Sequence, residues 1–272
     1  MKSTYKWLIA AGTVAAAVPV LMLAPDRATR REKAEFKGRN YAHRGLHSRD
    51  KVVPENSMAA FELAAKAGYG IELDVQLSRD GQVVVFHDDT LSRVCGVEGI
   101  VAEFDYEQLK DMRLCGTEQT IPLFSQVLEL VAGRSALIVE LKPGKKNMEL
   151  CRKTYELIKA YRGSVCIESF HPIIVAWFRF HAPELVRGQL AMPAKYYEEQ
   201  SPFMRFMLSN TLFNFIARPQ FIAYRIGKRP LTVKFANWLG AMKICWTSHE
   251  PRNEKGMDGV IFEFYKPKTK YK

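Results

Sequence analysis

From Asn40 onward, short apolar runs alternate with longer segments in which apolar residues recur at helical spacing. The runs are rich in Val, Ile, Leu and Phe, and polar or glycine-containing turns separate them, as is typical of strands. The pattern predicts nine strands: Tyr41–Arg44, Ile71–Leu77, Val83–Phe86, Ala136–Leu141, Val165–Ser169, Val186–Leu190, Phe221–Arg225, Lys243–Thr247 and Val260–Phe262. It predicts helices between them, at Ser57–Ala67, Glu107–Met112, Ser125–Val131, Met148–Tyr161, Pro172–His181 and Leu231–Leu239.

Repeated strand–helix alternation is typical of an α/β protein whose parallel sheet is covered by helices. About eight such units in this length of chain predict a (β/α)8 TIM barrel, with Val83–Phe86 as an extra strand in a loop. A doubly wound open sheet is the alternative. No G-x-G-x-x-G motif follows the first strand, so the barrel is favoured.

The segment 193–219 is longer than an ordinary loop and is apolar on nearly all sides. We expect a helical insertion here. Two interpretations remain open: an extra helix packed on the barrel, or a hydrophobic lid or membrane-contacting helix near the barrel mouth.

The amino-terminal stretch Trp7–Ala24 contains no charged residue. As a helix it would span about 27 Å, close to the hydrocarbon thickness of a bilayer. A cleaved signal peptide is the alternative, but the stretch lacks a clear cleavage site. The sequence therefore predicts a single-pass membrane anchor over 1–25, a basic juxtamembrane linker over 26–39 and one catalytic domain over 40–272.

The chain carries 40 basic and 29 acidic residues, and its net charge of +11 suits anionic partners. No zinc-finger spacing or RNP-like motif is present, so no nucleic-acid partner is predicted. Basic residues cluster after the predicted span, which favours a catalytic domain on the cytoplasmic face of the membrane. The five cysteines are odd in number and form no C-x-x-C pair, which predicts free thiols.

Two charged residues, His43 and Arg44, end the first predicted strand. The carboxyl ends of barrel strands are where TIM-barrel enzymes carry out chemistry. The planar guanidinium of Arg44 suits a phosphate group, and Gly45 allows a tight turn after it.

Acidic residues occupy alternate positions of two other strands. Glu72 and Asp74 share one face of the second strand, and Glu140 and Lys142 share one face of the strand 136–141 and its end. Buried carboxylates repel one another unless a cation lies between them, and oxygen ligands suit Mg²⁺ or Ca²⁺. The alternative is that the acids pair with neighbouring Lys and Arg side chains.

A second histidine, His87, follows the apolar run 83–86. Histidine exchanges protons near neutral pH, so His43 and His87 are candidates for a general acid and a general base. Carboxylates, imidazoles and basic groups in this combination indicate metal-assisted phosphoryl chemistry.

Seven short motifs follow in an order that closely resembles the glycerophosphodiester phosphodiesterase family. They are His43-Arg44-Gly45, Pro54-Glu55-Asn56-Ser57, Glu72-x-Asp74, Asp80-Gly81, His87-Asp88, Glu140-x-Lys142 and Trp246-Thr247. The resemblance covers roughly Tyr41 to Phe262. It implies a TIM-barrel enzyme that hydrolyses glycerophosphodiesters to glycerol 3-phosphate and an alcohol.

The resemblance also implies a role for each matching residue. One Ca²⁺ or Mg²⁺ ion would be bound by Glu72, Asp74 and Glu140. The acid–base pair would be His43 and His87, and the phosphate would be bound by Arg44 and Lys142. Glu55 would have a supporting role near the metal, and the glycerol hydroxyl of the substrate would be the nucleophile, through a cyclic phosphate.

One departure from the family pattern lies near the carboxyl end. The family often has Thr-Asp after the last strand, where this chain has Phe262-Glu263. Two other functions stay open: a lysophospholipase D that acts on membrane lysophospholipids, favoured by the predicted anchor and the apolar insertion, and a non-catalytic lipid-binding barrel.

Overall fold

The computed structural model describes residues 20–27 and 30–270. Nine strands form one sheet. Their bounds are β1 (Arg39–Ala42), β2 (Gly70–Leu77), β3 (Val83–Val85), β4 (Leu137–Leu141), β5 (Val165–Ser169), β6 (Arg187–Ala191), β7 (Phe221–Arg225), β8 (Met242–Ser248) and β9 (Gly259–Phe262). Every strand predicted from the sequence has its counterpart here.

The sheet closes into a parallel barrel. β1 pairs in parallel with both β9 and β2, so the ring runs β1, β2, β4, β5, β6, β7, β8, β9 and back to β1. β3 pairs antiparallel with β2 and lies outside the ring. The TIM barrel is thereby confirmed, and so is the prediction that β3 is not a barrel strand.

Ten α-helices are described: α1 (Arg30–Phe36), α2 (Met58–Lys66), α3 (Ser92–Cys95), α4 (Tyr106–Leu109), α5 (Phe124–Val131), α6 (Asn147–Ala160), α7 (Pro172–His181), α8 (Pro202–Ser209), α9 (Asn214–Ala217) and α10 (Leu231–Trp238). Local sequence explains where several of them begin. The Ser57 hydroxyl accepts a hydrogen bond from the Ala60 amide and caps α2. Pro172 occupies the first turn of α7, where no amide donor is needed.

The connections from β8 to β9 and from β2 to β4 depart from the ideal repeat. The chain between β8 and β9 carries only the 3-10 turn Pro251–Glu254. Between β2 and β4, residues 83–123 bury a small core of their own around Phe86, Leu91, Val101 and Leu114. This excursion holds β3, α3 and α4 beside the carboxyl end of β2.

The interior of the barrel below the mouth is apolar. Side chains from alternate positions of the strands fill it, among them Tyr41, Ile138, Phe221 and Ile261. Gly188 is required on β6, because an added Cβ would lie 1.9 Å from the Phe221 ring. A second, larger apolar layer packs the strands against the helices. The inward positions above the inner layer are polar, and they form the site described below.

The segment 193–219 contains the 3-10 turn Ala194–Tyr196, α8 and α9. It is helical, as predicted, but it stands between β6 and β7, where a (β/α)8 barrel has its crossover helix. These short helices therefore replace the crossover helix and are not added to it. Phe203 and Phe206 of α8 are 68% and 57% exposed.

The predicted transmembrane helix has no support in the structure. Most of Trp7–Ala24 lies outside the described residues, and no helix within 20–27 and 30–270 is long and apolar enough to cross a membrane. At the end of the predicted span, Leu23 is buried against the barrel beside Ile222 and Val233.

The segment 26–39, predicted as a linker, packs against the barrel where it is described. The Asp26 carboxylate forms ion pairs with Arg187 at the start of β6 and with Arg179 of α7. Phe36 is buried, and its carbonyl accepts a hydrogen bond from the Tyr41 hydroxyl. These residues belong structurally to the barrel domain. All five cysteines are free thiols, as predicted.

Candidate active site

Three buried carboxylates meet at the mouth of the barrel. Glu72 and Asp74 lie on the inward face of β2, and the strand register places Glu140 of β4 beside Asp74. Carboxylate oxygens of the three residues all lie within 4.8 Å of one another. The structure therefore brings together the three acids that the sequence singled out.

The charge state of these acids follows from their surroundings. Burial and the neighbouring carboxylates hold the pKa of Glu72 well above its usual range, and burial also raises the pKa of Glu140. Burial acts in the same sense on Asp74, but His87, Lys142 and Arg44 outweigh it and lower the pKa of that carboxyl. Within the cluster, the pKa of Asp74 is therefore lowered, and the pKa values of Glu72 and Glu140 are raised.

This donor set fits a divalent cation. Within the described chain, Oδ1 of Asp74 is buried and accepts no hydrogen bond. Oxygen-only ligands from three carboxylates are those that Ca²⁺ and Mg²⁺ prefer, and a cation would relieve the repulsion that raises the pKa of Glu72. Glu72, Asp74 and Glu140 are accordingly the residues able to hold a metal here.

Two basic side chains border the acids. Arg44 follows β1 with a left-handed φ of 53°, and its amide donates a hydrogen bond of 2.9 Å to Glu72. Its guanidinium contacts Asp74 at 3.6 Å. Lys142 Nζ donates to Glu140 at 2.9 Å, and Glu140 and Asp74 raise the pKa of the Lys142 ammonium in spite of its burial.

Glu55 lies between two arginines at the edge of this group. It accepts hydrogen bonds from Arg44 at 2.6 Å and from Arg93 at 2.6 and 2.8 Å. Burial opposes its ionisation, yet the two guanidinium groups lower the pKa of Glu55 to about 2. Glu55 therefore pairs with Arg44 and Arg93 and lies outside the cluster formed by Glu72, Asp74 and Glu140.

Each of the two predicted histidines has a carboxylate partner at Nδ1. His43 Nδ1 lies 3.0 Å from Glu263 Oε2, and His87 Nδ1 lies 2.6 Å from Asp88 Oδ1. Burial lowers the pKa of His43, and the bond to Glu263 opposes this effect. Both imidazoles interact electrostatically with Asp74, so both lie beside the carboxylate cluster.

Glu263 is a charged residue beside this site whose contribution the sequence left uncertain. It lies directly after β9 and accepts hydrogen bonds from both His43 and His47, the latter at 3.2 Å. The two imidazoles outweigh burial and lower the pKa of this carboxyl. Ligand atoms of His43, His47 and Glu263 also lie within 4.8 Å of one another, but hydrogen bonds already join them.

Two further polar residues of the site were missed. The Asn56 amide donates a hydrogen bond of 2.8 Å to Asp74. Glu168 of β5 is 1% exposed, stands next to Glu140 in the strand register, and has a pKa raised well above its usual range by burial. Glu168 could have been found from the sequence, because it interrupts the apolar run Val165–Ser169 just as Glu140 interrupts the strand 136–141.

Aromatic side chains line the other side of the mouth. Trp246 of β8 donates from Nε1 to the Ala223 carbonyl at 3.0 Å and meets Phe170 edge to face at 5.5 Å between ring centroids. Trp246 is half-buried, so it packs on the core and borders the mouth at once.

The arrangement combines a cation-binding group, two basic side chains and two imidazoles held by carboxylates, all at the carboxyl ends of barrel strands. Such a site is able to neutralise a phosphate group and to move protons on either side of it. Among the described residues, the Nε2 atom of neither imidazole has a hydrogen-bond partner. These nitrogens are therefore available to a bound molecule.

Comparison with known proteins agrees with this site. The profile of the glycerophosphoryl diester phosphodiesterase family matches residues 43–266. A glycerophosphodiester phosphodiesterase of Bacillus altitudinis is 38% identical over 169 residues, which are 56% of this chain and 66% of that protein. Lysophospholipase D GDPD1 of Homo sapiens is 32% identical over 155 residues, 52% of this chain and 48% of that protein.

Solved structures share the fold. A phosphodiesterase of Oleispira antarctica, in complex with the product sn-glycerol-3-phosphate, superposes with a TM-score of 0.68 at 23% identity. That alignment covers 85% of this chain and 94% of the other. The sequence matches span slightly less than two thirds of the Bacillus altitudinis relative. The family profile covers most of this chain, which therefore belongs to the glycerophosphoryl diester phosphodiesterase family.

Proposed function

We propose that this protein hydrolyses glycerophosphodiesters to glycerol 3-phosphate and an alcohol with the help of one divalent cation. The observation that carries the proposal is the convergence of Glu72, Asp74 and Glu140 between Arg44 and Lys142 at the barrel mouth. Family membership supports it. So does the Oleispira antarctica structure of the same fold, which binds sn-glycerol-3-phosphate.

In this proposal, Glu72, Asp74 and Glu140 hold a Ca²⁺ or Mg²⁺ ion. The bound ion supplies positive charge that stabilises the phosphate oxygens as charge develops on them. The Asn56 amide, hydrogen-bonded to Asp74, keeps that carboxylate in a fixed orientation. Glu168 adds a fourth buried acid next to Glu140, and burial together with the neighbouring carboxylates raises the pKa of Glu168 well above its usual range.

Arg44 and Lys142 bind the phosphate of the substrate. Glu55 holds the Arg44 guanidinium in place by accepting a hydrogen bond from its Nη1. In the structure, the Lys142 ammonium donates one hydrogen bond to the Glu140 carboxylate. Its ammonium group has further donors for a phosphate oxygen, because an ammonium carries three N–H bonds.

His43 and His87 move the protons. One imidazole accepts the proton of the attacking glycerol hydroxyl, and the other protonates the oxygen of the departing alcohol. A cyclic phosphate results, and water opens it when the two imidazoles act in the opposite sense. Glu263 and Asp88 bind the Nδ1 atoms and so direct each Nε2 toward the substrate.

A lysophospholipase D activity is the second candidate. The exposed rings of Phe203 and Phe206 on α8 would suit the acyl chain of a lysophospholipid or the surface of a membrane. Similarity to lysophospholipase D GDPD1 supports this candidate too. A non-catalytic lipid-binding barrel is disfavoured, because every residue that the reaction requires is present.

The test is a panel of phosphodiesters assayed with Mg²⁺, with Ca²⁺ and with a chelator, and the panel includes lysophosphatidylcholine beside glycerophosphocholine. We expect chelation to abolish turnover and Glu72→Gln to lower kcat/KM at least about 100-fold, because the cation loses a ligand. Glu107→Gln, a change of the same kind at an exposed position, is the control.

Full turnover after chelation would exclude the metal. A folded protein that turns over no diester with either cation would support the non-catalytic barrel. Faster turnover of lysophosphatidylcholine than of glycerophosphocholine would favour the lysophospholipase D.

We further propose attachment to a membrane through residues 1–25, with the barrel on the cytoplasmic face. The support comes from the sequence alone: the uncharged stretch Trp7–Ala24 and the basic residues that follow it. Digestion of sealed vesicles with an external protease tests both points. We expect the protein to pellet with membranes and its barrel to be protected on the inner side.

A further inference from the structure

Arg225 is the last residue of β7 and faces the barrel mouth. Phe221 and Ala223 of the same strand belong to the apolar interior of the barrel. Side chains alternate along a strand, so Arg225 lies on the same inward face, one step above Ala223. As the last residue of β7, it lies at the carboxyl end of the strand, the end at which the barrel mouth opens.

Aromatic rings hold the guanidinium of Arg225 in place. Its Cζ lies 3.9 Å from the centroid of the Tyr196 ring and 5.9 Å from that of Trp246. Trp246 is itself fixed by its hydrogen bond to Ala223 and by its contact with Phe170. Stacking leaves the N–H groups at the edge of a guanidinium free to bind another group.

No carboxylate neutralises this guanidinium. Within residues 20–27 and 30–270, the Arg225 side chain takes part in no hydrogen bond or ion pair, whereas the side chains of Arg44, Arg93 and Arg187 each pair with an acid. Lys195 adds a second cation, with its Nζ 4.9 Å from the Tyr196 ring centroid. The side of the mouth formed by β7 and the segment after β6 therefore carries uncompensated positive charge.

The strand order places this charge opposite the phosphate site. β7 is four strands from β2 in either direction around the ring. Asp74 on β2, with Arg44 and Lys142 beside it, therefore faces Arg225 across the mouth. A diester whose phosphate is bound by Arg44 and Lys142 would extend one of its two arms toward Arg225.

We propose that Arg225 forms a second anion-binding subsite, which selects diesters whose alcohol carries a carboxylate or a further phosphate. The inference rests on the proposed diesterase function and specifies its substrate class. A fixed guanidinium attracts such an anion and forms charge-assisted hydrogen bonds with it. It repels the quaternary ammonium group of choline and the protonated amine of ethanolamine. The constant glycerol arm is neutral and has no need of an unpaired cation.

Glycerophosphoserine and glycerophosphoethanolamine provide the test, because they differ only by a carboxylate. We expect kcat/KM for the serine diester to exceed that for the ethanolamine diester by roughly 10- to 100-fold, the usual effect of a hydrogen bond to a charged group. In Arg225→Gln the ratio of the two values should fall close to one. Arg225→Lys keeps the charge but loses the planar fork, so its ratio should be intermediate.

Lys159→Gln removes an exposed cation that also lies over a tyrosine ring, that of Tyr155 on α6, and is the matched control, in which the ratio should stay within about twofold of the unmodified protein. Circular dichroism and thermal unfolding of each variant confirm that it is folded. A glycerol diester of a phosphorylated alcohol distinguishes a phosphate from a carboxylate as the preferred group.

Equal rates for the serine and ethanolamine diesters in the unmodified protein would overturn the proposal. So would an equal loss for both substrates in Arg225→Gln, which would assign Arg225 to the glycerol arm or to packing. If no diester were hydrolysed at all, the proposed function itself would fail, which is a different outcome from an unaltered ratio.

Discussion

At the residue scale, the most informative side chain is Glu263, one carboxylate that binds two imidazoles. Its hydrogen bonds to His43 and His47 fix the tautomer and orientation of His43, and its charge stabilises the protonated ring. His249 lies 3.7 Å from the other carboxylate oxygen. In the proposed mechanism, Glu263 is therefore a positioning residue for proton transfer by His43.

We predict that Glu263→Gln lowers kcat about 10- to 100-fold, because His43 loses its anionic partner. The carboxylate opposes the effect of burial, which lowers the pKa of His43. Removing it lowers that pKa further. If His43 is the base, the acid limb of the kcat/KM profile should then move to lower pH.

Glu263→Asp keeps a carboxylate and should recover part of the rate and the original pH profile. A loss of activity in Glu263→Gln with no movement of the acid limb would indicate a role in packing only.

The sequence identified charged residues that interrupt apolar strands, apart from Glu168 of β5, but not those whose role depends on a distant partner. His43, Glu72, Asp74 and Glu140 stand out because a charge inside a buried strand is costly without a function. Asn56 and Glu263 lie in loops, where polar residues are common. Their contacts with Asp74 and His43 appear only once the barrel closes.

At the element scale, the connection from β1 to α2 is the most constrained. Arg44 and Gly45 both have left-handed φ angles, 53° and 80°, which turn the chain so that the Arg44 amide reaches Glu72. An added Cβ on Gly45 would lie 2.8 Å from the Cβ of Ala60 in α2. The turn thus brings the helix, the strand and the carboxylate cluster into contact.

We predict that Gly45→Ala lowers the free energy of unfolding by about 2–4 kcal/mol, since both the φ angle and the clash with α2 oppose it. Gly116→Ala is the control. Its φ of 72° is equally unfavourable, but no atom lies within 4 Å of the added Cβ. Gly116→Ala should lower the free energy of unfolding, measured by urea denaturation, by only about 1 kcal/mol. Equal losses would show that the contact with α2 is unimportant.

Most elements were predictable because their apolar periodicity is strong, as in α7, which matches its predicted bounds at both ends. The sequence predicted that 193–219 is helical. It did not show that these short helices take the place of the crossover helix between β6 and β7. The small core of residues 83–123 was also missed, since its apolar residues are spread over turns and short helices.

At the scale of the whole molecule, barrel closure brings together residues far apart in the chain. The sequence predicted a closed barrel from the number of strand–helix units, and the pairing of β1 with β9 provides it. That pairing carries Glu263 to within hydrogen-bond distance of His43, 220 positions earlier. The amino-terminal segment could not be predicted in the same way, because hydropathy does not reveal that Leu23 packs on the barrel.

The ion pairs of Asp26 have a mechanical consequence. Arg187, at the amino end of β6, and Arg179, on α7, form ion pairs with this residue. These contacts lie at the end of the barrel opposite its mouth. Tension applied through the preceding chain would be borne there. The force would act on the end of the barrel that is remote from the proposed catalytic groups. Their alignment would therefore be preserved.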